Sequence, residues 1–564
     1  SSWAKVHRFP PAALARPSCL RGRRESTRRR MASSGIAGSC TSGLGSAERL
    51  LRRSADEEDP CDRGAVDGAP MASPLGAAGA GGAGVTDRLP RPLPHRRGCC
   101  RRRRSAGATP VRRWEAEAQA IRNAADIDQE WLDLFPLSTA GRHVIDRHKR
   151  RFKLSGINWY GASDAHHVVG GLDVQALPRI CEIVRELGFS VVRLPFSNEM
   201  LRAQAPEPGS VNFDLNPALA GKTPLEIFDE VIRELGRQRV AVIINNHTTF
   251  GTWCGGPGEN GLWFVANRET PWGTHTEAQW LEDWAMLASR YRSCPQVVGF
   301  DLRNEVRATP ARIGPGRAFP WLRWPTCSTS TSDGLTADVA EGESWLPSVR
   351  VDWAAAAARC AMRLQVVNPD PLIVVERIVW PQRGLARYVA RPGPLLPRFE
   401  GKLVLGVHSY SWTAPGLYIV KWAIPRRLKP LMATLGMLGI VSWRNHADVA
   451  AAAPANLKAL MRKEWGWVLE QDRCPVWVSE FGGSLGSHND MTWLEAFVSI
   501  LRDYDADWAY WPLNVGPKPG SGGGEPYGML TSQWEPPPTD SDRRLTLLRG
   551  IMAPLVPVGG GSLE

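Results

Sequence analysis

Eight short apolar runs constrain this chain more than any other feature. They read KLSGINW (153–159), FSVVRLPF (189–196), VAVIINNH (240–247), QVVGFDLRNE (296–305), PLIVVE (371–376), KLVLGVHSY (402–410), PVWVSEF (475–481) and ADWAYWPLN (506–514). Near-continuous apolar character over so few residues marks strands covered on both faces, as in a parallel sheet. The stretches between them carry helix signals. Residues 173–188 close on Gly188, and 223–236 open with Thr223-Pro224, a capping residue followed by proline in the first turn. Helical patterns also fall at 276–292, 352–368, 455–471, 490–504 and 541–552, while the fifth run is followed only by the short 383–390. Eight strand–helix units in one series predict an α/β fold, a (β/α)8 TIM barrel. A hairpin is expected within 141–156, leading into the first strand and closing the lower end of the barrel.

Charge separates the barrel from what precedes it. Residues 1–113 hold 23 Lys and Arg against 9 Asp and Glu, whereas the remainder holds 46 against 48. The barrel is therefore close to neutral and lacks the electrostatic footprint of a nucleic-acid binder. The first 113 residues are rich in Arg, Ala, Gly, Ser and Pro, with GAAGAGGAGV at 76–85. Such a segment buries too little apolar surface to offset its ordering entropy, so it reads as a disordered basic extension. The expected organisation is this extension (1–113), a barrel domain (114–555) and a flexible tail (556–564). Residues 1–47 loosely resemble a transit peptide, and no secretory apolar segment is evident. No run of 18 apolar residues exists, so no membrane span is expected; the nearest, PLMATLGMLGIVSW (430–443), reads as an amphipathic cover or a lipid-contacting insert. The eleven cysteines include no CxxC pair, which argues against a zinc site of the usual spacing. Six lie between Cys181 and Cys474, as buried thiols or disulfides.

In such a barrel the chemistry lies at the C-terminal ends of the strands. Polar residues gather there: Arg193 on the second run, Asn246 and His247 on the third, Asn304 and Glu305 on the fourth, His408 and Tyr410 on the sixth, Glu480 on the seventh and Trp511 on the eighth. Glu305 and Glu480 end strands that face each other across the mouth. Two converging carboxylates are what cleavage of a glycosidic bond requires, one protonated to deliver a proton and one ionised to attack or to activate water. Arg193 is expected to hold Glu480 ionised, and strand alternation to point Arg303 to the same face as Glu305. The chain has 24 Trp; Trp253, Trp263, Trp272, Trp321, Trp324, Trp380 and Trp412 fall in loops or at strand ends on the cleft side. Their flat faces suit the apolar faces of β-linked sugars.

Taken in order, GFDLRNEVR (299–307), VWVSEFGG (476–483), VVRLPFSNEM (191–200), IINNHTT (243–249), GVHSYSW (406–412) and WAYWPLNVG (508–516) make the chain similar to glycoside hydrolase family 5, from about residue 135 to 553. The stretch GTWCGGPGENGLWF (251–264) resembles its cellulase-like branch of plants and protists. The resemblance implies a retaining enzyme acting on β-linked oligo- or polysaccharide by double displacement. Glu480 would be the nucleophile and Glu305 the acid/base. Asn304 would bind the sugar 2-hydroxyl, Tyr410 and Arg193 would orient Glu480, His247 and His408 would line the sugar subsite, and Trp511 would form its floor. It implies no cofactor and no metal, a monomer, and secretion. Three other readings stay open: a non-catalytic carbohydrate-binding barrel, a glycolipid-directed glycosidase that uses 430–443, and a metal-dependent hydrolase built on His247 and His408. The last is disfavoured because the first run ends in NWYG rather than in a His-x-His pair.

Overall fold

The structure, a computed structural model, describes residues 126–254, 259–265, 270–306, 321–323, 350–377, 399, 401–413, 445–483, 486–515, 527–538 and 542–554. The chain divides into two units, Ser1–Arg102 and Arg103–Glu564, and all described residues belong to the second. The basic extension, the 383–390 helix, the 430–443 stretch, Trp324, Trp380, Arg307 and the tail lie outside the described residues.

All eight runs form strands, and they close into a parallel barrel in chain order. The strands are β1 (Ser155–Asn158), β2 (Val191–Ser197), β3 (Ala241–Thr248), β4 (Val297–Asp301), β5 (Leu372–Glu376), β6 (Leu403–Tyr410), β7 (Val476–Gly482) and β8 (Asp507–Tyr510). Register places Asn158 beside Arg193, Asn245 beside Asp301, Gly406 beside Glu376 and His408 beside Glu480. The β6–β7 ladder shifts register between Val407 and His408, and the β7–β8 ladder between Val478 and Phe481. Such irregularities re-aim side chains, and these two fall where β6 and β7 deliver His408 and Glu480.

The outer helices start where their capping residues predict. Thr223 caps Pro224–Arg237 in a reciprocal pair with Glu226, and Thr276 caps Glu277–Arg290 in the same way with Gln279. Each such cap contributes about 1 kcal/mol. The helix expected over 455–471 is interrupted: Pro454–Met461 and Trp467–Glu470 flank a wide turn at Arg462–Gly466. That turn carries the buried Glu464 to within 3.2 Å of Arg377.

The lower end of the barrel is plugged. A short helix (Gln129–Leu132), capped by Asp128, is followed by a hairpin pairing Ser138–Ala140 with His143–Ile145, earlier in the chain than the 141–156 expected. Ile127, Trp131, Phe135 and Val144 from this segment pack against inward-facing Val191, Ile243, Val298, Val374 and Trp477. Burying each large apolar side chain contributes about 1.5–3 kcal/mol. Among the described cysteines, Cys181, Cys294, Cys360 and Cys474 are buried, and Cys181, Cys360 and Cys474 are free thiols.

Candidate active site

At the opposite end the strands bring their polar residues into one contact network. Arg193 on β2 is its hub and is fully buried. Its Nε donates to Asp301 (2.8 Å), its Nη1 to Asn158 (3.0 Å) and Glu480 (2.5 Å), and its Nη2 to Asn304 (2.9 Å) and Glu376 (2.7 Å). Burial alone would lower its pKa, but Asp301, Glu480 and Glu376 outweigh that and raise it, so the guanidinium is a fixed charge.

Glu480 accepts from Arg193 on one oxygen and from the Tyr410 hydroxyl on the other (2.6 Å). Tyr410 and Arg193 thus hold this carboxylate from two sides. The expectation that Arg193 dominates its charge needs correction. Burial is the strongest influence on Glu480 and pushes it above the ordinary carboxylate value, while His408 and Arg193 pull it back.

Glu305 follows β4 in a left-handed backbone conformation (φ +42°), a strained state for a residue with a side chain. Its N–H donates to Glu376 Oε2 (2.8 Å), and the N–H of Asn304 donates to the carbonyl of Asn246 (2.9 Å), which anchors the turn to β5 and β3. His408 supplies the cation that its own strand end lacks. Its Nδ1 lies 3.1 Å from Glu305 Oε1 and 3.4 Å from Glu480 Oε2, and its Nε2 lies 3.3 Å from Glu376. Burial lowers the His408 pKa, but Glu376, Glu480 and Glu305 together raise it well above the ordinary histidine value. With a carboxylate near each nitrogen, the surroundings favour the charged, imidazolium form of the ring. Arg377 holds its backbone by donating to the His408 carbonyl (3.2 Å).

Glu305, His408 and Glu480 bring potential ligand atoms within 4.8 Å of one another, so an oxygen of each carboxylate lies that close to the other. His247 is not part of that cluster. Its Nδ1 lies 2.8 Å from Asn245 Oδ1, and its ring stacks on Trp511 (centroids 5.5 Å apart, planes at 7°). Burial, and next Arg193, hold it well below the ordinary histidine pKa, so it is neutral. Trp511 also stacks with Tyr160 (5.2 Å, 11°). Asn304 gives its carbonyl oxygen to Arg193; its buried Nδ2 has no hydrogen-bond partner among the described residues and is free to donate to a ligand.

Several expectations change. β4 ends at Asp301, so alternation does not extend to Arg303, whose guanidinium donates instead to Asn246 (2.9 Å), Thr249 (3.2 Å) and the Asn260 carbonyl (2.9 Å). Trp263 is core, packed on Trp280 and Trp353. Trp253 does line the mouth, 46% exposed and edge-on to Trp511 (6.4 Å). Trp412 stacks on Tyr410 (4.6 Å, 17°). Sequence reasoning missed Asp301, Glu376, Asn158 and Tyr160. The rule that named the others, a polar residue at the C-terminal end of a barrel strand, also picks out Glu376.

Residues 155–516 match the family model for cellulase (glycosyl hydrolase family 5). An endoglucanase of Paenibacillus polymyxa is 27% identical over 429 residues, 74% of this chain and 88% of the relative. The major extracellular endoglucanase of Xanthomonas campestris pv. campestris is 28% identical over 421 residues, 73% of this chain and 70% of the relative. The solved catalytic domain of the Xanthomonas enzyme superposes with a TM-score of 0.51 at 26% identity, covering 74% of this chain and 99% of that domain. No helix among the described residues is long and apolar enough to cross a membrane.

Proposed function

The chain belongs to glycoside hydrolase family 5, a family of retaining enzymes that hydrolyse O-glycosidic bonds, and on that premise we propose that it cleaves β-glucan within the chain with Glu480 as nucleophile and Glu305 as acid/base. The observation that carries this reading is the approach of the two carboxylates, with oxygens within 4.8 Å. Retaining glycosidases hold theirs about 5–5.5 Å apart, whereas inverting ones leave room for a water between them. Exposure divides the labour: the Glu480 side chain is 5% exposed and clamped by Arg193 and Tyr410, while that of Glu305 is 23% exposed and can meet water.

In the first step a Glu480 oxygen bonds to the anomeric carbon as the bond from that carbon to the leaving oxygen breaks. The Glu305 proton passes to that oxygen. In the second step Glu305, now a carboxylate, takes a proton from water, the water oxygen bonds to the same carbon, and the Glu480 carboxylate leaves. The free Nδ2 of Asn304 serves the sugar 2-hydroxyl, and Trp511, backed by Tyr160 and His247, is the floor of the subsite. Every group named in these steps comes from one chain, which supports catalysis by a single copy. Its bacterial relatives are endoglucanases, one named as extracellular, which supports β-glucan as the substrate class and an extracellular site of action. A carbohydrate-binding barrel without catalysis has no use for two converging carboxylates, one clamped and one open to water.

The test compares wild type with Glu480→Gln on an aryl β-glucoside and on soluble β-glucan. Wild type turns over, and the variant loses at least ~10⁴-fold in kcat. Equal activity in the two proteins, including none in either, rejects the reading.

A further inference from the structure

Glu376 touches Arg193, which holds Glu480, and also the backbone N–H of Glu305, yet nothing in the mechanism above assigns it a role. It ends β5, is 2% exposed, and divides its two oxygens. Oε1 takes the Arg193 Nη2 at 2.7 Å and faces the His408 Nε2 at 3.3 Å, while Oε2 takes the backbone N–H of Glu305 at 2.8 Å. The neighbouring strand is shaped around it. Glu376 pairs with Gly406 on β6, where a Cβ would lie 2.8 Å from Glu376 Cγ, closer than a side chain tolerates. A carboxylate is thus accommodated at this position at the cost of a side chain in β6.

We propose that Glu376 is a positioning residue for proton delivery: it fixes the strained turn that presents Glu305, and its charge keeps His408 donating between Glu305 and Glu480. This rests on the reading of Glu305 as acid/base. The turn at Glu305 is left-handed and needs an outside anchor, and Glu376 accepts the N–H of that same residue. His408 Nδ1 is within reach of both reacting carboxylates, so the ring's charge bears directly on which of them carries the proton. The groups facing His408 are Glu376 from β5, Glu305 from the turn after β4 and Glu480 from β7; Arg193 of β2 shares two of these carboxylates with it, and His247 of β3 is near enough to be held down by its charge. Among them Glu376 is itself held ionised: burial pushes it up, but His408, Arg193 and the Glu305 N–H bring it down to about 2. Asp301, by contrast, is driven well up by burial and by Glu376. Glu376 therefore keeps its charge throughout the working pH range, as an anchor for a cation must.

The test is Glu376→Gln, which keeps the shape and removes the charge. Two substrates are compared with wild type: an unactivated β-glucan oligosaccharide, whose leaving group needs a proton, and a 2,4-dinitrophenyl glucoside, whose leaving group does not. The expected result is a loss of about 100-fold on the first and less than about 10-fold on the second, in the range of a missing general-acid contribution. The alkaline limb of kcat/KM should also move to lower pH by about one unit, because losing a nearby negative charge lowers the pKa of His408 and Glu305 alike. Equal losses on both substrates, or an unmoved limb, overturn the proposal, since a role confined to Arg193 and Glu480 or to folding predicts those results. Glu376→Asp keeps the charge but is too short to reach the Glu305 N–H. It should lose rate on the oligosaccharide with its pH limb in place, and it decides the matter if the Gln variant does not fold; full activity in Glu376→Asp overturns the anchoring role. Wild type that turns over neither substrate refutes the glycosidase reading instead, so the two failures are distinguishable.

Discussion

The two ends of the barrel interior are built by the same strands from opposite materials. β7 gives Trp477 to the lower end and, three residues on, Glu480 to the mouth; β4 gives Val298 and Asp301; β5 gives Val374 and Glu376. Below, the inward-facing residues bury apolar area against Trp131 and Phe135, a contribution that is non-directional and roughly proportional to surface removed from water. Above, four acids surround two cations in a buried site where each member depends on its partners, and desolvation of the charges offsets much of their attraction. The lower end should therefore carry stability and the upper end reactivity, with little exchange between them.

The harshest test of that division is Glu305→Gln. Activity on unactivated β-glucan should fall about 10²–10⁴-fold, the usual contribution of a general acid. The melting temperature should hold or rise, because one carboxylate leaves a cluster crowded with them. Thermal melts beside kcat measurements check this. A drop of several degrees would mean that the mouth also carries the fold, and the contrast between the ends would fail.

The reciprocal experiment is Trp477→Ala. This fully buried side chain should cost about 3–5 kcal/mol of stability, the range for truncating a large aromatic in a core. The folded fraction should keep a kcat within twofold of wild type, since the plug lies at the far end of the strands. Denaturant unfolding with kcat corrected for active protein measures both. Loss of kcat in fully folded protein would show that packing below sets the geometry above.

The same contrast explains what could be read from the chain. The strands and the lower end were legible because apolar runs covered on both faces leave a local mark, and helix starts were legible because Thr223 and Thr276 cap within four residues of their partners. The rim was legible where a polar residue broke an apolar run, which yielded Arg193, His247, Asn304, Glu305, His408, Tyr410, Glu480 and Trp511. What binds them together was not. Asp301 and Glu376 meet Arg193 only through closure of the barrel, across separations of 108 and 183 residues. Glu376 stands at the end of an apolar run, as Glu305 and Glu480 do, but its pairing with Arg193 leaves no local mark in the sequence. The misplaced end of β4 has a similar cause: Leu302 continues the apolar pattern, and only the turn of the backbone at Glu305 reveals that the ladder has stopped. Arg303 was assigned to the wrong face for the same reason.

The gentlest probe lies outside both ends, at the lip of the mouth. Trp253 touches Trp511 and Tyr160 edge-on at 6.4 and 6.0 Å and is 46% exposed, so little of the fold depends on it. It lies too far out to act on the sugar being cleaved. If a long substrate runs along the rim, Trp253 offers the next unit a flat apolar face. An aromatic contact of this kind adds about 0.5–1.5 kcal/mol, so Trp253→Ala should raise KM for polymeric β-glucan about 2–10-fold while leaving kcat and the melting temperature unchanged. For an aryl glucoside, which ends at the cleaved sugar, KM should not move. An equal rise for both substrates would mean that Trp253 acts by propping Trp511, and that the upper network reaches the surface; a rise for the polymer alone would mark where the network stops and the binding surface for the chain begins.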